Sequence, residues 1–156
     1  MLETIDGLPL HPLVVHVVVV LVPLSALGAV LVAARPRWAR PYGPLVAFGA
    51  VVAAVSALVA QQAGNSLQVQ VNKAGELAEA IETHGRWGLY VVNLGLGFAV
   101  LSSVSVVLAF ALGTVTRYQQ IARWAAAAVG VVATVFTFLA GESGAASVWG
   151  PLYGMR

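Results

Sequence analysis

The groups in this chain best suited to chemistry are its three imidazoles, His11, His16 and His84, joined late in the sequence by Glu142 and Ser143. Neutral imidazole is a common ligand for zinc, copper and iron, and an adjacent carboxylate or hydroxyl can orient the ring or tune a bound ion. No cysteine is present, which removes disulfides, thiolate metal sites, iron–sulfur ligation and c-type haem attachment. An imidazole site for a metal stays open. Its most specific version is haem b, which needs one or two axial histidines on facing helices and an apolar slot. Gly85, Gly88, Gly95 and Gly97 could open such a slot, and close helix packing explains them equally well.

The elements that must position these residues are helices in lipid. The chain is 60% hydrophobic and 9% charged, against about 25% charged in an ordinary soluble domain. Four stretches have the roughly 20 apolar residues that a membrane helix requires: 13–34, 43–63, 87–112 and 121–140. The expected architecture is an all-α integral membrane four-helix bundle, one domain over residues 1–156, with short connections that make successive spans antiparallel. The outer segment 64–86 is expected to carry a short interfacial helix over Ala74 to His84, with Glu76, Glu79 and Glu82 on a solvated face. The net charge of +2 comes from short loops and forms no basic stripe, so nucleic-acid binding is excluded.

Orientation follows from the charges. Arg35, Arg37, Arg40, Arg117 and Arg123 lie in or beside the two loops of one side, which the positive-inside rule places in the cytoplasm, with both termini outside. Trp38, Tyr42, Tyr118 and Trp124 mark one membrane surface, and Trp87, Tyr90, Trp149 and Tyr153 the other. The leader carries Glu3 and Asp6 with no basic residue, so the first span reads as a retained helix and not as a signal peptide. Stripes of small residues, Gly49, Ala53 and Ala57 on the second span and Ala126, Gly130 and Thr134 on the fourth, allow backbones to approach closely, either within one chain or in a homo-oligomer. No internal repeat is evident.

This topology gathers His11, His16, His84 and Glu142 at the outer surface. His16 lies about one turn inside the apolar run, where an ionisable group is a functional candidate by default. Residues five apart are rotated by about 140° on a helix, so His11 and His16 do not face one ion together unless Pro12 leaves His11 outside the regular helix. The expected site uses His16 and His84 as iron ligands, with His11 as a second ligand or orienting residue. Glu142 and Ser143 stand near it as acceptors, or simply cap the outer turn. The plainer readings are an interfacial hydrogen-bonding role for His11 and a surface-helix role for His84.

The run Gly7-Leu8-Pro9-Leu10-His11-Pro12-Leu13-Val14-Val15-His16 resembles the opening of a bacterial family known as domain of unknown function 2231. The likeness extends to Glu82-Thr83-His84-Gly85-Arg86-Trp87-Gly88 and to Gly141-Glu142-Ser143-Gly144-Ala145-Ala146-Ser147-Val148-Trp149-Gly150. It implies a small four-span protein of the bacterial cytoplasmic membrane. Because some members are joined to Rieske or cytochrome-type modules, it also implies membrane electron transfer beside redox or respiratory partners. His11, His16 and His84 match the family's pattern. Gly141-Glu142 departs from the Gly-His found in many members, which removes one imidazole and counts against a fourth-histidine or two-haem arrangement.

Two other functions compete with a haem b electron-transfer module. A cofactor-free accessory subunit of a membrane complex accounts for the minimal loops and small-residue stripes. A metal or proton pathway is disfavoured by spans whose polar residues, such as Ser25, Ser56, Asn93 and Thr137, include no acid. Catalytic motifs are missing: there is no GxxxxGK phosphate loop and no His-Glu-x-x-His pair. The Gly141 to Gly144 sequence lacks the strand-to-helix setting of a hydrolase elbow.

Overall fold

The computed structural model describes residues 4–5, 8–71, 78–112 and 116–153. Helix α1 spans Leu10–Ala34, α2 Ala39–Val71, α3 Ala78–Ala111 and α4 Arg117–Tyr153. A single turn of 3-10 helix, Pro36–Trp38, joins α1 to α2, and two-residue strands β1 (Thr4–Ile5) and β2 (Leu8–Pro9) pair antiparallel ahead of α1. All four helices are long and apolar enough to cross a membrane. They form a square: α1 packs on α2, α2 on α3, α3 on α4 and α4 on α1, so α1 and α3 lie on a diagonal.

The distribution of side-chain size identifies the solvent. The buried positions are mostly alanines, from Ala26 and Ala29 on α1 through Ala50, Ala53, Ala54 and Ala57 on α2 to Ala126, Ala127 and Ala133 on α4, and Phe98 and Val22 are the largest fully buried side chains. Large apolar residues instead face outward, with Leu45 69%, Phe48 67% and Phe138 63% exposed. In water such a surface would aggregate. In lipid there is no penalty for it, and helices associate through small residues that bring backbones together. The protein is therefore a membrane protein, as its composition indicates.

The small-residue stripes act within the chain. A Cβ at Gly49 would run into Ser25 Oγ of α1, and one at Gly130 would lie 2.9 Å from the Phe98 ring and 3.2 Å from Ala26. Gly95 and Gly97 are likewise used for packing, against Ala54 and Val129 at 3.8 Å. Gly85 and Gly88 face open space.

The helix ends are closed by side chains. Thr116 and Gln119 form a reciprocal capping box at the start of α4: Gln119 N–H donates to Thr116 Oγ1 at 3.3 Å and Thr116 N–H donates to Gln119 Oε1 at 3.0 Å. The amide nitrogen of the same Gln119 donates to Leu108 O at 2.7 Å, and Arg40 Nε donates to Ala109 O at 3.1 Å, so two terminal carbonyls of α3 are satisfied by its neighbours. Arg35 lies 4.7 Å over the Trp38 ring in the same region.

Every helix outruns its expected span at one end or both, α2 reaching Val71 and α4 Tyr153, and two of the starts have a plain physical cause. Helix α1 begins at Leu10, with His11 and Pro12 inside its first turn, because the first-turn N–H groups have no intrahelical partner and proline loses nothing there. The outer helix expected over Ala74 to His84 is, from Ala78 onward, the first part of α3 without a break, while 72–77 lie outside the described residues. Extending an existing helix avoids a second nucleation cost.

Candidate functional site

At the end of the bundle where α1 and α3 begin and α2 and α4 finish, two imidazoles meet. The His11 and His84 rings have centres 5.8 Å apart and planes at 85°. They come from the diagonal helices and so close the end of the bundle across its middle. His11 Nδ1 lies 2.7 Å from Ala60 O on α2, and His84 Nδ1 lies 2.9 Å from Ala140 O on α4. A carbonyl oxygen only accepts, so each Nδ1 carries its proton and donates. In the neutral rings this leaves the lone pair on Nε2, and among the described residues neither Nε2 has a partner. Ser143 Oγ sits 3.3 Å from His84 Nδ1 and donates its own proton to Ala140 O at 2.9 Å.

Each ring rests on a glycine. A Cβ at Gly64 would lie 3.0 Å from Cε1 and Nδ1 of His11, and a Cβ at Gly144 would lie 3.0 Å and 3.1 Å from the same two atoms of His84. Both glycines stand four residues after the alanine whose carbonyl accepts the imidazole proton. The arrangement thus occurs twice: a histidine in the first two turns of one helix lies on an Ala-x-x-x-Gly step in the C-terminal half of the next. This duplication was missed from sequence. Its signal was present in Ala60-Gln61-Gln62-Ala63-Gly64 and Ala140-Gly141-Glu142-Ser143-Gly144, but in a chain so rich in alanine and glycine the pattern is not distinctive until the rings are seen on it.

His16 takes a different position. It is exposed on α1, with Nδ1 2.6 Å from Pro12 O one turn back on its own helix, and it does not join the pair. The rotation between residues five apart on a regular helix accounts for the separation. Glu142 is exposed, whereas Ser143 reaches His84. Asn93 lies on an exposed face of α3 and Gln61 is half-buried. Arg86 and Glu82 form an exposed ion pair at 3.4 Å, of a kind that contributes little to stability.

The chemistry available to the pair is that of two nitrogen donors whose other ring nitrogens are already anchored. Hydrogen bonding of the distal ring N–H to a carbonyl orients metal-ligating histidines and sets their tautomer. A single ion bound through both Nε2 atoms at about 2.0–2.1 Å would hold the ring centres no more than about 6 Å apart, and the observed separation lies inside that limit. Among the described residues no cluster of three or more His, Asp or Glu surrounds the pair. Two imidazoles are the protein ligands that a metal bringing its own remaining ligands would need, as haem iron does. Below the pair the interior is packed by Val18, Val22, Ala57, Val91, Val92 and Ala133. Open space adjoins Gly85 and Gly88 at the start of α3.

No curated protein and no solved structure matches the chain. The family model described as "Predicted membrane protein (DUF2231)" matches residues 7–151, which takes in α1 to α3, all but the last two residues of α4, both histidines of the pair and both glycines beneath them. With that span covered, the chain belongs to this family of predicted membrane proteins, the domain of unknown function 2231 family.

Proposed function

We propose that this protein is a membrane electron-transfer module whose His11 and His84 hold a haem b iron at the outer end of the bundle. The observation that carries this reading is the commitment of both Nδ1 atoms to carbonyls of neighbouring helices, which leaves the Nε2 lone pairs of two rings whose centres lie 5.8 Å apart. When bound, haem supplies a one-electron couple. The chain's own part is to hold two imidazoles in fixed tautomers. Ser143, beside His84 Nδ1, stiffens that ring, and the apolar side chains beneath the pair close the site off from the bundle interior. His16 is a surface residue in this scheme. The Arg-rich end is assigned to the cytoplasm and both termini to the outside of a bacterial cytoplasmic membrane.

The test is the absorption spectrum of detergent-purified protein, oxidised and dithionite-reduced, after expression with haem supplied. A Soret band with split α and β bands on reduction is expected for the native chain and for His16→Ala, and its loss for His11→Ala and His84→Ala. Loss in His16→Ala alone would move the axial role to His16. A folded, colourless, metal-free native protein would overturn the haem reading.

A second reading, a cofactor-free accessory subunit, is favoured by one feature: each imidazole already links two helices by hydrogen bond. On that view the pair is a structural clasp. A partner retained in gentle detergent by colourless protein supports it.

A further inference from the structure

At the opposite end of the bundle the structure holds a cation with nothing to balance it. Arg123 is only 3% exposed on α4, and its Nε and Nη2 are buried without a hydrogen-bond partner; Ser102 Oγ on α3 is buried and unpartnered in the same way. All three atoms belong to residues that line one small cavity of ≈ 20 Å³. Its wall is contributed by every helix, with Ala29 on α1, Gly43 and Val46 on α2, Ser105 on α3 and Ala126 on α4 alongside them.

The guanidinium cannot escape by losing its proton, because arginine stays protonated in proteins. A buried charge persists only when it is paired. The sequence supplies no such pair here. Its six carboxylates are Glu3, Asp6, Glu76, Glu79, Glu82 and Glu142, so 7–75 and 83–141, which include every residue around the cavity, contain no Asp or Glu. Glu142 follows Arg123 by nineteen residues on the same helix, a rise of about 28 Å. Arg35, Arg37, Arg40 and Arg117 at this end deepen the positive potential. The counter-charge must therefore come from outside the chain.

We propose that this cavity is a binding site for a small monovalent anion of halide size, held by Arg123 Nε and Nη2 and by the Ser102 hydroxyl. A water needs about 10–15 Å³ by the same measure, so the cavity's volume matches one compact ion. Water alone would satisfy the donors and leave the charge. Because all four helices line the cavity, the ion ties together the end of the bundle remote from the histidines.

The experiment compares thermal unfolding of the full chain in detergent at fixed ionic strength, with sodium gluconate replaced stepwise by sodium chloride or sodium bromide, and follows ³⁵Cl line broadening in parallel. The native protein is expected to show a saturable rise in Tm of about 3–6 °C at tenfold excess over Kd, with no rise in sodium sulfate. Ser102→Ala should require about five- to tenfold more chloride, as expected for one lost hydrogen bond. Arg123→Met should abolish the response, and if it does not fold, Arg123→Lys should show a weakened one. A native Tm identical in gluconate and chloride, with no line broadening, would overturn the proposal. So would a halide-insensitive protein that retains an anionic phospholipid lost from Arg123→Met, which would assign the counter-charge to a lipid phosphate.

Discussion

His11 and His84 stand 73 positions apart in sequence and on helices that are not direct neighbours, yet their rings meet at 5.8 Å with planes nearly perpendicular. Each ring reaches the contact by lying on a glycine of a third or fourth helix and donating to a carbonyl there. The contact thus joins all four helices through two side chains. It has the properties of a clasp whether or not it also holds a metal.

The glycines beneath the rings are the most direct probe of this geometry. Gly64→Ala and Gly144→Ala each place a methyl 3.0 Å from an imidazole, and overpacking of this kind costs about 1–3 kcal/mol. Gly85→Ala meets nothing within 4 Å and should be neutral or gain up to about 1 kcal/mol from helix propensity. Thermal unfolding in detergent checks all three, and an equal effect at Gly85 would remove the steric explanation.

His11→Ala and His84→Ala should not be additive. Rings in contact typically couple by about 0.5–1.5 kcal/mol, and each replacement also frees a carbonyl that its partner ring cannot reach. A double-mutant cycle measured by unfolding should return a coupling in this range. Full additivity would mean that the 5.8 Å contact contributes nothing to stability.

Gly130 and Phe98 should behave as a matched pair. The ring of Phe98 is fully buried, and a Cβ at residue 130 would come within 2.9 Å of it. Gly130→Ala is expected to destabilise by about 1–3 kcal/mol, and adding Phe98→Leu should recover part of the loss by vacating the clash. If the double variant is no more stable than the sum of the singles predicts, the collision lies elsewhere, with Ala26.

At the α3–α4 connection, Gln119 should matter more than Thr116. Thr116→Ala removes one cap, at a cost of about 1 kcal/mol. Gln119→Ala removes the other half of the capping box and also the bond from α4 to Leu108 O, adding about 0.5–1.5 kcal/mol for one lost hydrogen bond, since Leu108 O keeps Leu112 N–H as a donor at 3.2 Å. Hydrogen exchange at the first turn of α4 should accelerate in both variants, and at the last turn of α3 in Gln119→Ala only.

By itself the sequence determined the class of molecule. Four apolar runs, loop arginines and aromatic residues at span ends are local or compositional signals, and lipid acts on them directly by penalising any unpaired backbone or charge. The three histidines were also identifiable, because so few other groups in the spans carry a polar atom. Which two of them meet was not readable. That choice depends on helix phase and on contacts between diagonal helices, where the first-turn placement of His11 turns it inward and leaves His16 on the exposed face. The roles of Gly64, Gly144 and Gly130 were equally hidden, since a glycine in an apolar run becomes informative only when the side chain that replaces its missing Cβ is known. Arg123 was read as a topology signal near a span end. Only the packing of four helices around it decided that this charge is buried, because burial is a property of the neighbours and not of the residue.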